Sequence, residues 1–282
     1  MKKWLIILLV VTTVMINMTS CGHAKIITGD KQGSVMLHGD NEYPYSGQAG
    51  ATGVFDNEEL TEDQNSENIV ASDEKSLDEM MKETADIQKM KSVEEFFSDA
   101  LFIGDSRTVG LQKYSGIPTA DYFAATGMNV FNVLTASPEV AGRGNINLET
   151  VLSLKKYGKI YLMLGINELG YDMDSIYQKY GEVLERVTEL QPEANIYAEA
   201  NLHVTKARSD KDTVFNNISI DTINGKIKSL AKENGIGYLD VNPMFDDGQG
   251  ALSEDYTYDH THVLGKYYKA WSVWIYESCH QE

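Results

Sequence analysis

Short apolar runs alternate with helical patterns from about Ser92 onward. Ala100–Ile103, Asp121–Ala125, Lys159–Leu164, Asn195–Ala200 and Gly237–Val241 read as five strands, each bounded by glycine, asparagine or a polar turn. Between them, Ile176, Tyr180, Val183, Leu184, Val187 and Leu190 recur at three- and four-residue spacing, and this pattern stops before Pro192. Ile220, Ile223, Ile227 and Leu230 form a second stripe, ending at Asn234-Gly235, a C-cap signature. A last helix is predicted from about Gly265 through Trp271, Trp274 and Ile275. Ser92-Val93-Glu94-Glu95 fits a capping box and predicts a short helix starting there. Strand–helix alternation of this kind implies a parallel sheet with right-handed crossovers, whose functional groups lie at the carboxyl ends of the strands.

Upstream the texture is different. Residues 22–90 show no sustained periodicity and are rich in Gly, Ser, Asn, Asp and Glu; they read as a disordered acidic linker. Leu77, Met80, Met81 and Ile87 make only a faint stripe. Twelve acidic and two basic residues fall between Asp56 and Asp86. Flexible, the 69-residue linker would span roughly 45 Å. Lys2 and Lys3 precede an apolar run from Trp4 to Ile16, the form of an export signal and too short for the ~20 apolar residues of a membrane-spanning helix. Met18-Thr19-Ser20-Cys21-Gly22 follows and resembles a bacterial lipobox, which implies cleavage before Cys21 and lipidation of its thiol. The expected organisation is a lipoprotein signal peptide over 1–21, the linker over 22–90 and a folded domain over 91–282, outside the cytoplasm.

Composition narrows the function. A net charge of −18 argues against nucleic-acid binding, which needs clustered Lys and Arg. Two cysteines, Cys21 and Cys279, exclude a multi-disulfide framework and any cysteine-built zinc or iron–sulfur site with three or four ligands. No cofactor is called for. Cys279 reads as a half-buried packing residue.

Four short motifs carry candidate chemistry. Gly104-Asp105-Ser106 ends the first strand, where a serine at a strand-to-helix turn can act as a nucleophile beside its own N–H; a capping serine is the plainer reading of this motif alone. Asp259-His260-Thr261-His262 precedes the last helix, and a carboxylate three residues before a histidine can hold its Nδ1–H and leave Nε2 for the serine proton. Asn167, in Gly165-Ile166-Asn167 after the third strand, can donate to an oxyanion, as can the N–H of Gly127 after the second. In order, spacing and placement these pieces resemble the SGNH (GDSL) hydrolase family over roughly residues 100–279. The resemblance implies a three-layer α/β fold with a flavodoxin-like parallel five-stranded sheet. It further implies a catalytic Ser106–His262–Asp259 set with an oxyanion hole from Ser106, Gly127 and Asn167.

The chain departs from the family pattern at Arg107, Glu168 and His260. Arg107, Glu168, Tyr171 and His203 follow strand ends and are expected to line the substrate cleft, the first two on the alcohol side. His260 is expected to aim away from Ser106. Two polar insertions, Thr135–Asn147 and Val204–Thr213, are expected to flank the site. The leading reading is a membrane-tethered serine esterase that removes a short acyl group, O-acetyl above all, from a glycan. A lipase, lysophospholipase or thioesterase, a glycan O-acyltransferase and a non-catalytic envelope-binding module are the alternatives.

Overall fold

The computed structural model describes residues 77–280. The signal segment, Cys21 and the linker up to residue 76 lie outside the described residues. In chain order the elements are α1 (Leu77–Phe96), β1 (Ala100–Gly104), α2 (Ser106–Tyr114), β2 (Asp121–Ala124), β3 (Glu139–Val140), β4 (Gly144–Asn145), α3 (Leu148–Leu154) and β5 (Lys159–Met163). Then come α4 (Met173–Leu190), β6 (Asn195–Glu199), α5 (Lys206–Ser209), α6 (Asn217–Asn234), β7 (Gly237–Leu239), α7 (Asn242–Phe245) and α8 (Tyr268–His280).

Five strands form one parallel sheet in the order β2-β1-β5-β6-β7, and β3 and β4 make a separate antiparallel pair. With that pair set aside, the order is that of a flavodoxin-like doubly wound sheet. The five predicted strands, the two predicted long helices and the three-layer α/β class all appear. Every residue of β1 is buried, because helices cover both faces of a parallel sheet. Period-two alternation divides the strand between two cores. Leu101 and Ile103, with Ile160 and Leu162 of β5, pack on the apolar stripes of α4 and α6. Ala100 and Phe102, with Tyr161 and Met163, pack on Val93 and Phe97, Leu111 of α2, and Trp271 and Ile275 of α8. On this second face the rings of Tyr122, Phe102, Tyr161 and Tyr197 stack in register across four strands, with centroids 5.3, 4.6 and 5.2 Å apart. Those three tyrosines thus build the interior. Cys279 is half-buried and receives the Tyr161 hydroxyl at 3.8 Å, a packing position as expected.

Two expectations about organisation fail. The first helix does not start at Ser92 but at Leu77, inside the stretch read as disordered linker. Ser92 lies in its interior, and its hydroxyl bonds back to the Gln88 carbonyl at 3.3 Å rather than capping a helix end. Met80, Met81 and Ile87 stay exposed, so the N-terminal half of α1 has no buried stripe for the sequence to display. The second failure is the Thr135–Asn147 insertion. Arg143 pairs with Asp121, the first residue of β2, at 2.9 Å and with the Tyr157 hydroxyl at 3.2 Å. That anchors the insertion at the amino end of the sheet, opposite the end where the functional residues gather.

Candidate active site

The site is built where β1, β2 and β5 end. Gly104 closes β1 against the next helix: a Cβ there would lie 2.1 Å from the Thr108 hydroxyl and 2.7 Å from the Met163 carbonyl oxygen, so no larger residue fits. Asp105 is the N-cap of α2, and its carboxylate accepts the Arg107 backbone N–H at 3.0 Å. Capping therefore does not fall to Ser106. Ser106 stands at the first helical position, where a backbone N–H has no intrahelical acceptor and points toward any anion at the helix start.

Ser106 Oγ lies 2.8 Å from His262 Nε2. His262 Nδ1 lies 2.6 Å from Asp259 Oδ2, while Asp259 Oδ1 accepts the backbone N–H groups of His262 (2.7 Å) and Thr261 (2.9 Å) and the Thr257 hydroxyl (3.1 Å). Partial burial pushes the Asp259 carboxyl up, but these donors outweigh it and bring it down to about 2. Asp259 is thus ionised at neutral pH and fixes the imidazole tautomer whose Nε2 is unprotonated. His260 adopts a left-handed backbone (φ 66°), and its Nδ1 lies 3.1 Å from the Thr205 hydroxyl. It faces away from Ser106, as expected.

A cavity of about 240 Å³ opens at Ser106; Thr126, Gly127, Ile166, Asn167, Arg208 and His262 are among its walls. Gly127 has φ +77°, the turn conformation that glycine tolerates. Asn167 belongs to a single 3-10 turn, Ile166–Glu168, and its amide donates to the Met128 carbonyl at 2.9 Å. A side-chain amide has two N–H groups, and this bond uses one. Ser106, Gly127 and Asn167 therefore meet at one cavity, with Asn167 also tying the β5 turn to the loop after β2.

Three of the four expected cleft contacts, Glu168, Tyr171 and His203, need correction. Arg107 lines the cavity as expected, though most of its side chain is buried beneath it. Its guanidinium forms a bidentate pair with Asp105, Nε–Oδ1 at 2.9 Å and Nη2 to Oδ2, and Nη2 also donates to Asn201 Oδ1 at 2.8 Å. Glu168 is fully buried and accepts the Val130 N–H at 2.6 Å, so it staples the Gly127 loop to the Asn167 turn from beneath. Burial pushes its carboxyl up to about 7, against the pull of the Val130 N–H and of Arg107. Glu168 is therefore not free to contact an alcohol. Tyr171 is exposed and packs on Phe131 with ring centroids 5.4 Å apart, outside the cavity walls. His203 turns to α6, its Nε2 lying 2.8 Å from Asp221 Oδ1, and does not line the cavity.

Several residues escaped the sequence reading. Arg208, Phe215, Leu202 and Thr261 line the cavity. Of the two polar insertions, only the one after β6 reaches the site, through Arg208. Asn201 is fully buried beneath it and bonds both Arg107 and Asn224. Glu199, at the end of β6, is buried too, and its carboxyl is pushed up to about 8 by burial, against the pull of Arg107. The signal for such a buried polar layer was present, since polar residues closed each apolar strand run, but it did not say which of them point inward.

The description "GDSL-like Lipase/Acylhydrolase family" belongs to the family model that matches residues 102–270. No curated protein matches the chain. Among solved structures, the chain is similar to a proposed platelet activating factor from Streptococcus pneumonia (20% identity, TM-score 0.49, covering 70% of this chain and 96% of that one). It is also similar to a GDSL-like lipase from Bacteroides thetaiotaomicron (15%, 0.48, 64% and 87%) and to a carbohydrate acetylesterase from Sinorhizobium meliloti (12%, 0.45, 64% and 98%).

Proposed function

From the premise that this chain belongs to the GDSL-like lipase/acylhydrolase family and is a serine ester hydrolase, we propose that it removes short acyl groups, acetyl above all, from a glycan. Ser106 is the nucleophile, His262 the general base and Asp259 the group that orients the imidazole. The observation that carries this reading is the continuous hydrogen-bond chain from Asp259 through His262 to Ser106 at the mouth of a small cavity.

The steps follow from that geometry. His262 Nε2 takes the Ser106 proton as Oγ attacks the ester carbonyl carbon. The carbonyl oxygen gains negative charge, which the N–H groups of Ser106 and Gly127 and the Asn167 amide stabilise. The tetrahedral centre collapses as His262 returns the proton to the alcohol oxygen, leaving acyl-Ser106. Water, deprotonated by the same nitrogen, attacks the acyl-enzyme and releases the acid.

Chain-length preference follows from the space at Ser106. A longer acyl chain gains roughly 0.8 kcal/mol per methylene, about fourfold in rate, only where a continuous apolar groove covers it. Here the cavity is small, about 240 Å³, and its apolar walls, Ile166, Leu202 and Phe215, are interrupted by Thr126, Asn167 and Arg208, so a short acyl group fits better than a long chain. With p-nitrophenyl esters, kcat/KM is expected to be highest for acetyl and to fall by butyryl or hexanoyl. A rate that climbs steadily to octanoyl would select the lipase instead.

The place of action is part of the proposal. The Lys2-Lys3 and Trp4–Ile16 segment and the Thr19-Ser20-Cys21-Gly22 sequence support export and a lipid on Cys21. An enzyme so tethered meets envelope polymers rather than cytoplasmic metabolites. Cys21→Ala is expected to move the protein from the membrane fraction to the soluble fraction and to abolish incorporation of labelled fatty acid. Undiminished labelling in that variant would refute the anchor.

A further inference from the structure

In the proposed reaction the alcohol oxygen receives its proton from His262 Nε2, so the glycan must leave on the His262 side of Ser106. A second cavity, of about 470 Å³, adjoins His262 through its partner Asp259. Asp259 and His260 contribute to its wall, and Arg208 is shared with the cavity at Ser106. The remaining wall includes Lys211 and Asp212.

The charges there are unevenly committed. Asp259 is taken up by His262, Thr261 and Thr257. Asp212 Oδ1 accepts the N–H groups of Val214 at 2.9 Å and Phe215 at 2.8 Å. The two cations are less fully taken up. Arg208 is held in place by the Thr261 hydroxyl and by the Phe215 ring, whose centroid is 5.4 Å from the guanidinium carbon. It forms only a long ion pair with Asp212, Nη2 to Oδ2 at 4.0 Å, without a hydrogen bond. Lys211 is exposed and pairs with no carboxylate among the described residues. A guanidinium positioned in this way presents paired N–H groups that match a carboxylate or phosphate. On a chain of net charge −18, such a site also offsets the repulsion that an anionic polymer would otherwise meet.

We infer that the second cavity is an alcohol-side subsite for an anionic group, a carboxylate or phosphate carried by the acylated glycan and bound by Arg208 and Lys211. The inference rests on the proposed glycan esterase activity and adds the chemical class of its substrate.

The test measures acetate release from three polymers in parallel: acetylated polygalacturonate, an acetylated phosphomannan and neutral acetylated glucomannan. At low salt, kcat/KM on an anionic polymer is expected to exceed that on the neutral one by on the order of tenfold, and 0.5 M salt is expected to erode the preference. Arg208→Gln and, separately, Lys211→Gln are expected to lower the ratio, with Arg208→Lys keeping part of it. The surface position of Lys211 keeps its variant interpretable should Arg208→Gln fold poorly. Whichever anionic polymer is favoured identifies the group. Equal rates on charged and neutral polymers, or a ratio unchanged in both glutamine variants, would overturn the subsite while leaving the esterase reading standing. Cleavage of p-nitrophenyl octanoate with no acetate released from any polymer would overturn the esterase reading itself, and the subsite with it.

Discussion

Ser106→Ala is expected to reduce ester hydrolysis by roughly 10³-fold or more while the protein stays folded. The loss corresponds to about 4 kcal/mol of barrier. Ser106 Oγ is 2.8 Å from His262 Nε2, so its removal leaves a base with no hydroxyl to activate. The residual rate reflects the oxyanion donors, which the substitution leaves in place. Folding is spared because the helix is capped by the Asp105 carboxylate and not by the serine. The measurement is turnover of p-nitrophenyl acetate beside a thermal melt of the same sample. Turnover equal to the wild type would remove Ser106 from the mechanism.

Arg107→Met is expected to destabilise the fold by about 3–5 kcal/mol, the usual cost of stripping one partner from a buried ion pair. Asp105 is fully buried and takes both of its guanidinium contacts from Arg107. Without that cation the Asp105 carboxylate has no counter-charge in its layer, and Glu168 and Glu199 lose the one charge that lowers their carboxyls. Methionine keeps much of the side-chain volume, so the loss reads charge more than a cavity. Adding Asp105→Asn should recover part of the stability, because an asparagine can still cap α2 and carries no charge. Urea unfolding of the four species at neutral pH closes the cycle. A change below about 1 kcal/mol for Arg107→Met would show that the guanidinium belongs to solvent, as a rim residue would.

The two expectations rest on neighbouring residues that differ in how far the sequence foretold them. Ser106 was legible because its position depends on connectivity. Once Ala100–Ile103 is a strand and the next residues turn into a helix, the serine must sit at the carboxyl end of a parallel sheet, near Gly127 and Asn167 at the ends of its neighbours. Asp259 and His262 were legible for a similar reason: a separation of three residues lets one turn bring carboxylate and imidazole together. The C-cap at Gly235 and the stripes of α4 and α6 are equally local.

By itself, then, the sequence determined the strands, the long helices and the residues that meet at the catalytic cavity, since each depends on neighbours a few positions away or on the order of the strands. Only the tertiary structure decided the rest. Arg107 turns inward because Asn201, 94 residues later, offers it an acceptor beneath the site. Glu168 turns inward because the Val130 N–H lies within 2.6 Å. The Thr135–Asn147 insertion lies at the far end of the sheet because Arg143 finds Asp121 there. The exposed half of α1 shows no apolar stripe, so no periodicity betrayed it. In each case the deciding interaction joins groups whose separation along the chain carries no pattern, and a side chain's direction on a turn is set by the partner that folding brings to it.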